Sequence, residues 1–219
     1  MSVQDSANPF IISRIKISHA KYQDYVLPVY AWLTRNIYPD KRILNSMLKT
    51  LIEACGRSSK VLVVRFDLHV REYSENNSVI SQFSRKYSLL LEKEYSKAWC
   101  ELIWAREHGR SPRQHYHCVL LINGQKVHHP KKLMDKTKML WTSTTGGSLS
   151  LPTNCYYLWK RGDIEMFGRI VYRLSYLAKN ITKKRINPQV KRFGCKAITK
   201  CLKVVPTQSL HQLLNNEGH

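Results

Sequence analysis

Apolar residues recur at three- and four-residue spacing in two stretches near the start of the chain, Val26–Ile37 and Ile43–Ala54. That period predicts amphipathic helices, with Asp40 as the cap of the second. Residues 1–59 are therefore expected to form an N-terminal helical segment, closed by the break at Gly56–Ser59. Val61–Val70 is almost continuously apolar, which predicts a buried strand. Ser78–Tyr95 predicts a helix with Val79, Phe83, Tyr87, Leu90 and Leu91 on one side. Ala98–Glu107 and His115–Gly124 predict two strands joined by a short turn, an antiparallel hairpin. His128–Trp141 predicts a helix, Thr142–Ser150 a loop, Asn154–Trp159 a strand and Ile164–Lys183 a helix, before a basic, irregular tail. Strand–helix–strand–strand–helix–strand–helix predicts an α+β domain built on an antiparallel sheet. Residues 60–203 are assigned to that domain and 204–219 to a C-terminal tail.

Charge narrows the partner. Thirty-six Lys+Arg against fifteen Asp+Glu give a net charge of +21 in 219 residues. An excess of this size points to a polyanion, and nucleic acid fits better than an anionic membrane. The chain has no long apolar span and no basic amphipathic helix at a terminus. Its start, MSVQDSANPFIISR, lacks the cationic and apolar blocks of a signal peptide. Six cysteines are scattered without C-x-x-C spacing. They are expected to be reduced thiols of a cytoplasmic protein, neither disulfide staples nor zinc ligands.

Two histidines flank a tyrosine at the head of an apolar run, in RQHYHCVLLI. Alternation in a strand puts His115 and His117 on one face, about 6.6 Å apart along the strand, with Tyr116 on the other. Imidazoles so placed can share a divalent ion. Glu107, eight residues earlier, lies just across the predicted turn. Two imidazoles and a carboxylate leave coordination positions open for substrate oxygens, as phosphoester cleavage needs. Asp67 and His69 share a face of the first strand and could border the site. His108 is expected on the opposite face, and His128 and His129 at the surface.

IVYRLSYLAKNITKK carries a second constellation. On a helix, Ile170, Leu174, Leu177 and Ile181 form an apolar stripe, while Tyr172, Tyr176, Lys179 and Lys183 fall together on the other side. A phenol is a poor nucleophile at neutral pH, and a nearby cation can favour its phenolate. From Met166 to Asn216 there is no carboxylate. Arg169, Arg173, Lys183, Lys184, Arg185, Lys191 and Arg192 belong to this basic arm, which is expected to track phosphates.

The His-Tyr-His strand followed by Tyr-Leu-Ala-Lys resembles the HUH endonucleases. Histidines before tyrosine, with RFDLH as a first strand motif, resemble the replication-initiator branch: inovirus-type replication proteins and their prophage-borne relatives of the YagK/YfjJ type. The likeness covers roughly Val61 to Cys195. It implies a five-stranded antiparallel sheet of ferredoxin or RRM type, with helices packed on it. It also implies nicking and rejoining of single-stranded DNA at a replication origin, through a 5′-phosphotyrosine intermediate. By that likeness Tyr176 is the nucleophile, Lys179 its partner and Tyr172 a second tyrosine. Glu107, His115 and His117 would hold Mg2+ or Mn2+. No G-x-x-x-x-G-K-[ST] motif is present, so unwinding would fall to a host helicase. The alternative is a non-catalytic basic DNA-binding or regulatory protein with a decayed nuclease site. The H-x-[ST] pairs of two-histidine phosphodiesterases and the H-x-H-x-D-H pattern of another nuclease class are both missing from the sequence.

Overall fold

Strand β3 (Lys60–His69) lies at the centre of the architecture, because its residues are buried on both faces of a sheet. The computed structural model describes residues 17–22, 25–31, 37–95, 98–108, 113–180, 190–197 and 210–215. In chain order the elements are β1 (Ile17–Tyr22), β2 (Tyr25–Tyr30), α1 (Lys41–Arg57), β3, α2 (Ser78–Glu94), β4 (Cys100–Glu107) and β5 (His115–Asn123). They continue with α3 (Lys131–Thr145), β6 (Ser148–Ser150), β7 (Tyr156–Lys160), α4 (Ile164–Ser175), β8 (Phe193–Ala197) and the short α5 (Leu210–Leu214). The class is α+β, with every strand pairing antiparallel.

The main sheet runs β6–β3–β5–β4–β8, and β7 shares the outer edge of β3 with β6. It has six strands, one more than the expected five. β6 comes from the stretch read as a loop: α3 runs on to Thr145, and Gly146 caps it at φ 63°, a left-handed turn that glycine adopts at no steric cost. The following residues then pair with β3 at Asp67–His69. β8 comes from the stretch read as an irregular basic tail, and pairs with β4.

Both sheet faces are covered, which is why β3, β4 and β5 read as continuous apolar runs. On one face Leu62, Val64, Phe66, Leu102 and Tyr116 pack with Phe83 and Tyr87 of α2 and Trp141 of α3. On the other, Val61, Val63, Ile103, Val119 and Leu121 pack with α1 and α4. α1 is capped as expected, the Asp40 carboxylate accepting from the Ile43 N–H at 3.1 Å.

Two expected helices are corrected. Val26–Ile37 does not start as a helix: Tyr25–Tyr30 is a strand, paired with β1 in a separate two-stranded sheet. Leu27, Val29 and Ala31 are buried in alternation, a period of two. Pro28 lacks the N–H that a helix interior uses, and the flanking valines and tyrosines favour extended backbone. Trp32–Asn36 lie outside the described residues. The second correction concerns α4, which stops at Ser175 instead of running to Lys183. One 3-10 turn, Tyr176–Ala178, follows, and Lys179 is extended at φ −52° and ψ 140°. Residues 38–40 cause the break. Pro39 pairs with Lys179, the Asp40 N–H donates to Ala178 O at 2.8 Å, and the Asn180 N–H donates to Tyr38 O at 3.0 Å. Ile170, Leu174 and Leu177 are buried as the apolar stripe requires, while Ile181 and Lys183 lie outside the described residues.

Candidate metal centre and its tyrosine

The β4–β5 hairpin brings Glu107 directly opposite His115, and β3 brings Asp67 opposite His117 and His69 opposite His115. Glu107, His115 and His117 therefore converge at one end of the sheet, on the α1/α4 face. Glu107 Oε2 lies 3.5 Å from His115 Nε2 and 3.2 Å from His117 Nε2, and the two Nε2 atoms are 3.3 Å apart. Ligands at about 2.1 Å from a shared ion stand roughly 3.0–3.4 Å apart at octahedral or tetrahedral angles. The observed separations match that spacing, so the three side chains could hold a metal ion.

The surrounding groups suit that use. His117 Nδ1 is 2.6 Å from Asp67 Oδ1. With a metal ion bound, a proton kept on Nδ1 by the carboxylate would leave the Nε2 lone pair facing the centre, the arrangement that fixes metal-binding histidines. Burial alone would lower the His117 pKa, but Asp67 and Glu107 together raise it. Burial would likewise raise the Glu107 carboxyl; hydrogen bonds from both histidines and the charges of His117 and Lys179 hold it far below the usual carboxylate range. Asp67 is lowered as well, burial being outweighed by His117 and Arg65. The His69 pKa is lowered, by burial first and then by His115, on which its ring stacks at 5.6 Å.

Tyr176 stands beside this group. Its hydroxyl accepts from Lys179 Nζ at 2.7 Å, and the same Nζ is 3.2 Å from Glu107 Oε2. The phenol oxygen is thus one ammonium away from a candidate ligand atom. The ring is held on several sides: Arg65 Cζ lies 4.5 Å from its centroid, the Tyr30 ring meets it edge-on at 5.0 Å and the His117 ring at 5.4 Å. Glu107, His117 and Lys179 are 1%, 5% and 8% exposed, so their charges act with little screening by water. Tyr172 and Tyr176 are both half-buried. Tyr176, at φ −58° and ψ −35°, keeps helical backbone, and both rings reach Tyr30; Tyr172 also lines a cavity with Pro28, Tyr156 and Met166.

Arg65 and Tyr30 were not singled out from sequence. Alternation along β3 puts Arg65 on the face of Asp67 and His69, so a charge inside an apolar strand was its signal. Tyr30 carries no such signal; its N–H donates to Ser175 Oγ at 2.7 Å, tying β2 to the end of α4.

The remaining predicted residues are dispersed. Arg169 is exposed and pairs with Glu165 at 2.6 Å. Arg173 is spent on the Thr153 and Asn154 carbonyls and the Tyr157 hydroxyl. Lys191 and Arg192 precede β8, the first exposed and the second half-buried. Lys183, Lys184 and Arg185 lie outside the described residues. His108 is not among the converging ligands and packs on Tyr73 at 5.2 Å. His128 and His129 are exposed, as expected. Among the described residues no helix is long and apolar enough to cross a membrane.

The chain is similar to the uncharacterized protein YagK of Escherichia coli strain K12, at 24% identity in a match covering 68% of this chain and 89% of that protein. No solved structure matches it. The sequence model of the YagK/YfjJ C-terminal domain matches residues 30–196, from the end of β2 through β8, and so spans Tyr30, Arg65, Asp67, Glu107, His115, His117, Tyr176 and Lys179. The chain belongs to the YagK/YfjJ C-terminal domain family.

Proposed function

We propose that this protein is a metal-dependent endonuclease of the HUH type that nicks and rejoins single-stranded DNA, starting rolling-circle replication of a phage or prophage element in the cytoplasm. One relationship carries the reading: Tyr176 Oη and Glu107 Oε2 meet the same Lys179 ammonium, at 2.7 and 3.2 Å. A nucleophile and a three-ligand cluster are thereby adjacent. Mg2+ or Mn2+ held by Glu107, His115 and His117 would polarise the scissile phosphate oxygens.

The residues of the chain supply the rest. Lys179 Nζ hydrogen-bonds the phenol oxygen and offsets the negative charge that gathers around phosphorus during attack. Tyr30 and Arg65 hold the ring in one orientation. The new bond joins Tyr176 Oη to the 5′ phosphate, and the bond from phosphorus to the 3′ oxygen breaks. The phenol loses one proton and the departing oxygen gains one, so the step releases no net proton. Reversal by an incoming 3′-OH reseals the strand. Unwinding would come from a host helicase.

The test is a covalent adduct between purified protein and labelled single-stranded origin DNA in Mn2+ or Mg2+. Wild type should form it and Tyr176→Phe should not; an adduct formed equally well by the variant removes the assignment.

The Lys179–Glu107 contact also favours a second reading, a DNA-binding protein whose ammonium has replaced the metal's charge. That protein would bind no Mn2+ in calorimetry and cleave under no divalent ion.

A further inference from the structure

A second concentration of charge lies away from the metal centre. A groove of about 1040 Å³ follows the β8 edge of the sheet, between the first turns of α1 and the N-terminal half of α2. Arg42 comes from α1, Arg85 from α2, and Lys191, Arg192 and Lys196 from β8 and the residues before it; no carboxylate lines the groove. Among the described residues none of these five cations takes part in an ion pair. Five positive charges around one depression repel each other, and a bound polyanion relieves that repulsion.

Solvated surface lysines alone would not need a shaped floor, and this groove has one. Trp104, buried on the α2 face of the sheet, and Phe193, half-buried on the α1 face, meet it from the two sides of the edge. Gly194 packs its backbone against the indole: a Cβ there would come within 2.6 Å of the Trp104 ring. Half-buried Phe193 is the aromatic side chain of the groove open to a base, and the cations around it suit phosphates, the combination used for single strands.

The groove also leads to the centre. The Arg106 N–H donates to Arg192 O at 2.8 Å, and Phe193 pairs with Ala105. Its Arg192 end is therefore one strand over and one residue, about 3.4 Å, along β4 from Glu107. Asn77 Nδ2 donates to Lys191 O at 2.9 Å and pins the wall at that end.

We propose that the β8-edge groove holds the phosphodiester backbone of the unpaired DNA strand flanking the scissile phosphate. The identity of that strand rests on the nicking function proposed above; the charge and shape of the groove do not.

Binding of a fluorescent twenty-nucleotide oligothymidylate to the full chain, followed by anisotropy in excess chelator, tests it without any cleavage. The comparison is between Arg42→Gln/Arg85→Gln/Lys196→Gln and Lys131→Gln/Lys132→Gln/Lys138→Gln, which remove equal charge at exposed positions. The groove variant should bind about ten-fold more weakly near physiological salt, with a log–log salt slope lower by about two units for three lost phosphate contacts. The α3 variant should lose much less. Equal losses in the two variants, or wild-type binding by the groove variant, would overturn the proposal. So would an equal loss for a twenty-base-pair duplex, or displacement of the oligonucleotide by oligoglutamate at matched charge. If wild type never forms the tyrosyl adduct yet the groove variant still loses affinity, the nicking function fails and the groove assignment stands.

Discussion

His117 sits between two carboxylates, with Asp67 Oδ1 2.6 Å from its Nδ1 and Glu107 Oε2 3.2 Å from its Nε2. The ring is thereby oriented by one acid while it offers its other nitrogen beside the second. Asp67→Asn keeps the shape of this arrangement but replaces a charged acceptor with an amide that can also donate. Mn2+ affinity measured by calorimetry should fall about 10–100-fold, the usual cost of losing a carboxylate behind a ligating histidine. His115→Ala, which removes a half-exposed ligand, should abolish binding with little change in the urea midpoint. Unchanged affinity in both variants would show that no metal binds here.

Much of this centre could be read from the sequence, because strand alternation and one short hairpin suffice to place it. Glu107 and His115 are direct cross-strand neighbours, as the turn between them predicts. Asp67 and His69 reach the site because β3 pairs with β5 in the register their own alternation allows. Arg65 follows from the same alternation, but its meaning depends on Tyr176 lying over it, and that contact is long-range. The place of Tyr176 beside the ligands follows only from the family resemblance, and the end of α4 was not legible. No breaker follows it, and α4 ends because Tyr38 and Asp40, far away in sequence, capture the backbone of Ala178 and Asn180. The hairpin β1–β2 has a related reason: Val26–Ile37 satisfies a helical spacing, and the burial of Leu27 and Val29 against α4, together with Pro28, decides for a strand.

Gly147 offers a test of how far the site depends on packing behind it. Trp141 is fully buried and donates from Nε1 to His69 O at 3.0 Å. A Cβ at position 147 would collide with that carbonyl oxygen and lie 2.7 Å from the indole nitrogen. Neither neighbour is the loose end of a flexible side chain. Gly147→Ala should therefore cost about 1–3 kcal/mol in urea denaturation, as overpacking does. It should also weaken Mn2+ binding, since His69 stacks on His115. A stable variant with wild-type affinity would mean that the end of β3 yields freely.

Glu101 forms a buried ion pair with Arg57, yet burial outweighs the pairing and pushes its carboxyl above the usual glutamate range. The folded state therefore retains the Glu101 proton to higher pH than the unfolded chain does. Its contribution to stability is fully present below the unfolded value, near pH 4, and is lost as pH rises through the folded one. Glu101→Gln cannot ionise, so it should gain stability relative to wild type between about pH 4 and pH 7. Urea midpoints of both proteins across that range check the sign. A gap that moves the other way would mean that the Arg57 charge dominates.

Two tyrosines one helical turn apart invite the idea of two nucleophiles, and their surroundings separate them. Tyr176 meets Lys179, Arg65 and His117, whereas the Tyr172 ring lies 6.2 Å from Tyr30 and lines a cavity shared with Pro28 and Met166. Burial raises the Tyr172 pKa, which makes its phenolate harder to form. Tyr172→Phe should leave the DNA adduct intact in yield and rate. Arg65→Gln should slow adduct formation by on the order of ten- to a hundred-fold through loss of ring orientation, while adduct still forms at Tyr176. Mass spectrometry of the trapped peptide identifies the linked residue. Phosphate on Tyr172, or an adduct rate unaffected by Arg65→Gln, would show that orientation of Tyr176 by Arg65 is not what sets the reaction.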